Sequence, residues 1–171
     1  MSVTIALLAV TLAGVAPRTA FESMKGLAGD WEGPAMMTEG AGAGAGAKGE
    51  APPPARVSYR VVSNGAVLME TLFGGTPHEM ITMYHLDGDD LVLTHYCAAG
   101  NQPKMKLDTA TSTDKELRFA FAGGSNITPE GFHMHDARFV LVDADHVEAE
   151  WVGQHAGKPA HTAAFKLTRK K

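Results

Sequence analysis

The chain has 171 residues, with 15 Lys and Arg against 19 Asp and Glu, for a formal charge of −4. That length suits one domain, and 44% hydrophobic with 20% charged residues is a globular composition that excludes wholesale disorder. The acidic balance argues against a nucleic-acid binder, and the single Cys excludes an internal disulfide framework and any multi-Cys zinc or iron–sulfur site.

Residues 5–15 read IALLAVTLAGV. The run is too short to span a bilayer, which takes about 20 residues. It fits the apolar core of a secretory signal, with small residues at Gly14 and Ala16. Residues 1–20 are therefore predicted to be a signal, and the protein to be exported to the periplasm or secreted. No Lys or Arg precedes the run, so the alternative is a first helix or strand of the domain. A lone Cys97 is compatible with an oxidising compartment. Residues 21–28 predict a short helix, and Trp31 opens the first strand. The stretch 40–49, GAGAGAGAKG, has no large side chain to pack. With Pro52, Pro53 and Pro54 it predicts a flexible loop over 40–54.

From Arg56 onward, short β-type runs alternate with turn signals. Asn64-Gly65 and Asp87-Gly88 are the strongest hairpin dipeptides. About ten strands result, near 30–38, 56–62, 67–73, 79–86, 91–97, 104–111, 116–122, 131–142, 146–155 and 160–169. No long amphipathic helix separates them. Sequential hairpins predict a single all-β domain over 21–171, an antiparallel up-and-down β-barrel, which also removes exposed edges.

Hairpin register then sorts side chains by face, because directly opposed residues point the same way. A two-residue Asn64-Gly65 loop pairs Tyr59 with Glu70, Val61 with Leu68 and Val57 with Leu72. That apolar face is the inner one, so Glu70 points inward beside the Tyr59 hydroxyl. Around Asp87-Gly88, Thr82, Tyr84, Leu91, Leu93 and His95 share the face taken as interior. A two-residue loop at Ala144-Asp145 pairs Arg138 with Trp151 and turns both inward. A carboxylate in an apolar interior costs several kcal/mol unless it is paired or hydrogen-bonded. Arg138 is the candidate partner for Glu70, as a register-setting pair or as a grip on a ligand.

Other motifs carry less. His133 and His135 are sent outward as solvated strand residues. A three-residue loop at 156–158 places His155 and His161 on the Trp151 side, at the mouth of the barrel. His95 and Cys97 lie about 7 Å apart along their strand, too far for direct proton transfer, which disfavours a Cys nucleophile. Asn101 and Gln102 are candidate rim residues on a polar lid segment. No phosphate loop, dinucleotide fingerprint, Gly-x-Ser-x-Gly elbow or His-Glu-x-x-His run is present.

Gly29-Asp30-Trp31 at the first strand and Arg169 at the last resemble the lipocalin and wider calycin pattern. Together with Glu70, residues 94–103 (THYCAAGNQP) and 165–169 (FKLTR), they are similar to bacterial exported lipocalin-like domains of unknown function. The resemblance implies a calycin-like barrel closed at one end, with an interior cavity. It also implies structural roles for Gly29, Trp31 and Arg169, the guanidinium lying on the indole face. It names no substrate. A related group, the nitrobindin-like proteins, carries haem on a late histidine, and His155 or His161 lies in a comparable region.

The reading from sequence is therefore a barrel that binds a small apolar or amphipathic molecule without a cofactor. Tyr59, Glu70, Tyr84, His95, Arg138, Trp151, Asn101 and Gln102 are its candidate ligand residues. The alternatives are a haem barrel acting on reactive nitrogen or oxygen species, and a structural envelope protein with a filled interior.

Overall fold

A computed structural model describes residues 14–39 and 54–171. Most of the apolar N-terminal run and nearly all of the expected 40–54 loop lie outside the described residues. A helix, α1 (Pro17–Lys25), precedes eleven strand segments: β1 (Gly29–Gly33), β2 (Ala35–Glu39), β3 (Ala55–Val62), β4 (Val67–Leu72), β5 (Met80–Asp87), β6 (Asp90–Tyr96), β7 (Gln102–Leu107), β8 (Glu116–Ser125), β9 (Phe132–Leu141), β10 (His146–His155) and β11 (Lys158–Arg169). β1 and β2 are one strand broken at Pro34, which lacks a ladder N–H. The fold is a closed antiparallel barrel of ten strands with one short helix, consistent with a calycin-like barrel. β3 to β11 pair in chain order, and β1 joins β3 to β11.

The helix starts four residues earlier than the composition of 21–28 indicates. Pro17 occupies its first turn, where a missing N–H costs nothing. It buries Ala20, Phe21 and Met24 and packs against β5 and β6. Val15, ahead of it, hydrogen-bonds from its N–H to the Ser112 carbonyl. α1 thus covers the end of the barrel that carries the 108–115 turn.

Arg169 locks this end. Its guanidinium lies 4.2 Å from the Trp31 ring centre. The same group donates to the carbonyls of Ala28, Gly26 and Ala144 at 2.7, 2.9 and 2.9 Å. The Trp31 indole donates to the Leu27 carbonyl at 2.7 Å. Gly29 has φ of 133°, and a Cβ there would come within 2.9 Å of the Arg169 guanidinium, so backbone conformation and space both require glycine. The expected stacking of Arg169 on Trp31 is present.

Strand alternation sets the core. β3 and β4 pair as Tyr59–Glu70, Val61–Leu68 and Val57–Leu72, and β5 and β6 as Thr82–His95 and Tyr84–Leu93, the registers read from the hairpin signals. Tyr59, Leu68, Tyr84, Leu93, Met105, Leu117, Phe119, Phe139 and Trp151 fill the interior. Tyr84, Phe119 and Phe139 meet edge to face with ring centres 6.0–6.1 Å apart, and Phe139 meets Trp151 in the same way.

The β9–β10 hairpin differs from expectation. Its loop holds three residues, 143–145, with the Val142 N–H bonded to the His146 carbonyl. The Asp143 carboxylate accepts from the Asp145 N–H at 2.8 Å and from His146 Nδ1 at 2.9 Å, a local bonding pattern that a two-residue turn does not offer. One added residue moves the pairing by one: Ala137, not Arg138, faces Trp151, and the β9 side chains from Asp136 to Leu141 change face, while a register shift opposite Val152 and Gly153 skips His135 and leaves Met134 buried as expected. Arg138 therefore points outward, where it makes a two-pronged bond to Glu116 at 2.8 and 3.0 Å. The expected Glu70–Arg138 pair does not form.

At the other end of β10 the parity survives by a different route. The turn is the two-residue Ala156-Gly157, with His155 opposite Lys158. A bulge between Gly153 and Gln154 supplies the extra residue, so Gly153 lies opposite His161 and Trp151 opposite Ala163.

Candidate functional site

The buried acid is Glu70, 3% exposed. Tyr59 donates to its Oε1 at 3.1 Å and Tyr84 to its Oε2 at 2.6 Å. The second distance is in the range of a charge-assisted O–H bond to a carboxylate. Burial pushes the Glu70 carboxyl above the usual glutamate range, opposed by hydrogen bonds from Tyr84, Tyr59 and Thr82. Burial and the neighbouring acid push both phenols well above their ordinary values, so they remain donors. Neutral hydroxyls thus do the work that sequence assigned to a guanidinium.

Thr82 lies opposite Glu70 across the β4–β5 ladder and opposite His95 across the β5–β6 ladder. Its Oγ1 is 2.9 Å from His95 Nδ1. His95 is 3% exposed, and burial pulls its ring down to about 4, so it is neutral at pH 7. The Trp151 ring lies 4.8 Å away. Nε2 of His95 is buried with no hydrogen-bond partner. The four strands β3 to β6 therefore carry a continuous polar line, from Tyr59 and Tyr84 through Glu70 and Thr82 to His95.

Two more unpartnered buried atoms belong to the same end of the barrel, away from α1. Asn101, 5% exposed, donates from Nδ2 to the Phe132 carbonyl at 2.5 Å and leaves Oδ1 free. His133, 8% exposed, shares a hydrogen bond of 3.0 Å between its Nε2 and His135 Nδ1 and leaves Nδ1 free. Both rings lie against Phe121. This corrects the solvated placement of His133, while His135 is half-buried. Burial, then the proximity of His135, lowers the His133 ring's affinity for protons. Phe132 stacks on His161, ring centres 4.7 Å apart, and a Cβ on Gly153 would lie 2.5 Å from the Phe132 ring. Phe132 thus covers Gly153 because that residue has no side chain.

The remaining candidates are dispersed. Gln102 is half-buried, donating to the Gly100 carbonyl and accepting from Asn126. His155 is exposed at its turn. Cys97 receives the Ala99 N–H at 3.5 Å, and burial pushes its thiol up, consistent with an unreactive residue. Among the described residues, no three His, Cys, Asp or Glu side chains are placed to hold a metal ion, and no helix is long and apolar enough to cross a membrane. Open grooves of about 510 and 380 Å³ lie along the wall near Arg56 and Gly74. Another of about 320 Å³ lies beside Arg138. None of the three is lined by Tyr59, Glu70, Tyr84, His95 or Trp151.

No family model and no curated protein matches the sequence. The fold is similar to the crystal structure of a protein of unknown function from the DUF3598 family, from Nostoc punctiforme PCC 73102. The TM-score is 0.55 at 12% identity, over 96% of this chain and 53% of that one. This chain spans about half the length of that neighbour. At that identity the likeness shows the barrel alone.

Proposed function

We propose that the barrel binds a small apolar or amphipathic molecule at the end remote from α1, with His95 and Trp151 at the base of the site. The reading is supported chiefly by the three buried, unpartnered polar atoms gathered there, on His95, Asn101 and His133. Each unmet buried polar group costs about 1–3 kcal/mol, and a ligand or ordered water that meets them recovers that cost. Aromatic side chains supply the apolar contact. Native mass spectrometry of protein purified from its natural host tests this. A retained small-molecule adduct is expected. Bare protein that also shows no thermal shift across a panel of small amphiphiles overturns the proposal.

A second reading, a structural barrel with a filled interior, is favoured by the tight burial of Tyr84, Phe119, Phe139 and Met105. It predicts bare protein in the same experiment. Haem carriage on His155 or His161 draws less support. His155 is exposed, and the His161 ring is occupied against Phe132. A Soret band lost in His161→Ala or His155→Ala would favour it. Export is part of the proposal and rests on the apolar N-terminal run. Fractionation of host cells with sequencing of the mature N-terminus tests it.

A further inference from the structure

The barrel wall is uneven at the end remote from α1. Among the described residues, β2 pairs only with β11. β3 starts at Ala55, opposite Gly33, and β4 ends at Leu72, opposite Met80 of β5. β2 therefore rises beyond these strand ends, leaving a notch between it and the 73–79 turn. Phe73 stands in the notch. Its ring meets Phe165, a residue 3% exposed, edge to face with ring centres 6.2 Å apart. Phe165 lies two residues along β11 from Ala163, the partner of Trp151. Outside, Phe73 lines the groove of about 380 Å³ with Arg56, Gly74 and Thr76. The same side chain thus borders an open groove and the packed interior.

The backbone of Phe73 is strained. Its φ of 57° is left-handed, where a bulky side chain is a rare and costly occupant. Among the described non-glycine residues with positive φ, it alone carries a large side chain. Glycine would hold this turn without strain, so the turn alone does not call for an aromatic residue. Hydrogen bonds hold the conformation in place. The Phe73 N–H donates to the Arg56 carbonyl at 2.9 Å, and the Phe73 carbonyl accepts from the Thr76 hydroxyl at 2.8 Å. Strain held by its surroundings in this way is released when the segment moves.

We propose that the notch is the entry to the interior site and that Phe73 is its gate. The inference rests on the binding reading above. None of the three open grooves is lined by Tyr59, Glu70, Tyr84, His95 or Trp151, so a ligand reaches them only when part of the wall moves. Turning the Phe73 ring outward over Gly74 and Gly75 gives up one edge-to-face contact and releases the backbone strain. The two effects oppose each other, which keeps the open form within reach as a minor state. A molecule held first in the groove then passes Phe165 to reach Trp151.

Two measurements test this, with circular dichroism as the check on folding. Trp31→Phe leaves Trp151 as the single tryptophan. In that background, Phe73→Ala and Phe73→Gly should raise the acrylamide quenching constant of Trp151 severalfold. Leu141→Ala, at a partly buried position of the opposite end, should leave it unchanged. No rise in the Phe73 variants, or an equal rise in Leu141→Ala, overturns the proposal without a ligand being present. The small neutral fluorophore dansyl amide is then mixed with the protein in stopped flow. Phe73→Gly should associate about tenfold or more faster than the wild-type protein, because a minor open state no longer limits entry. Equal association rates overturn the gate and leave the binding reading intact. No binding of dansyl amide, or of any compound of the amphiphile panel, to either protein overturns both.

Discussion

At the scale of single residues, Glu70 and His95 of the polar line act on stability in opposite senses. His95 has its folded value lowered to about 4 by burial. Its contribution is complete above the unfolded value of about 6.5 and is lost as pH falls toward 4, a change of about 3 kcal/mol. Glu70 is raised by burial. It contributes fully below about 4.5, the unfolded glutamate range, and loses that contribution as pH rises through its folded value. Urea unfolding of His95→Gln should show a shallower loss of stability between pH 6.5 and 4 than the wild-type protein. Glu70→Gln, in the same assay, should lose the decline on the alkaline side, because its amide is neutral throughout. Arg138 gives a contrasting expectation. Its bond to Glu116 is on the outer wall, with both side chains part-exposed, where ion pairs contribute about 0–1 kcal/mol. Arg138→Ala should therefore lower stability by less than about 1 kcal/mol in the same urea assay.

At the scale of elements, the β9–β10 loop and α1 matter most. The three-residue 143–145 loop matches the β9 register in which Ala137 faces Trp151. Asp143 holds it through the Asp145 N–H and His146, and Arg169 holds it through the Ala144 carbonyl. Asp143→Ala should cost about 1 kcal/mol by loss of this local cap, measured by denaturant midpoint at unchanged m-value, without moving Ala137 from the interior. The core pairing of Trp151 with Ala137 outweighs the loop's preference. For α1, removal of residues 1–20 would cut the helix between Ala20 and Phe21, both buried. A chain starting at residue 14 keeps the helix whole. The first should melt well below the second in differential scanning calorimetry, and the difference bears directly on where processing can occur in an exported form.

At the scale of the whole molecule, closure joins the two ends of the described chain. Trp31 pairs with Arg169 across the β1–β11 ladder, and Arg169 binds the turn that follows α1. One side chain therefore ties the helix, the first strand, the last strand and the 143–145 loop. Arg169→Ala removes a cation–π contact and three hydrogen bonds, worth roughly 2–4 kcal/mol together. Arg169→Lys should recover only part of this, since an ammonium lacks the planar fork. Melting temperatures of the two variants check the order. A barrel of such long-range pairings should also refold in milliseconds to seconds rather than microseconds in stopped-flow measurements.

Sequence alone determined the strand set, two of the hairpin registers and the inward placement of Tyr59, Glu70, Tyr84 and His95, whereas the Trp31–Arg169 contact was implied only by the resemblance to the calycin pattern. The strands, registers and faces follow from local signals: turn dipeptides count residues, and a period of two then assigns faces. What only the tertiary structure decided is where counting is ambiguous or where partners are distant in sequence. Asp143-Ala144-Asp145 is compatible with two loop lengths, and the longer one, favoured by the Asp143 cap and the Arg169 clamp, matches the register with Arg138 outside. The partner of Glu70 was legible in part, since Tyr59 is its hairpin neighbour. Tyr84 reaches it from a strand whose inward face had only a weak apolar signature, and with both hydroxyls in place the acid needs no cation. The burial of His133 against Phe121 arises between strand ends that no local pattern aligns. The cover of Phe132 over Gly153 depends on two bulges that shift β10 against both neighbours, and bulges leave little trace in alternation because they break it by a single residue.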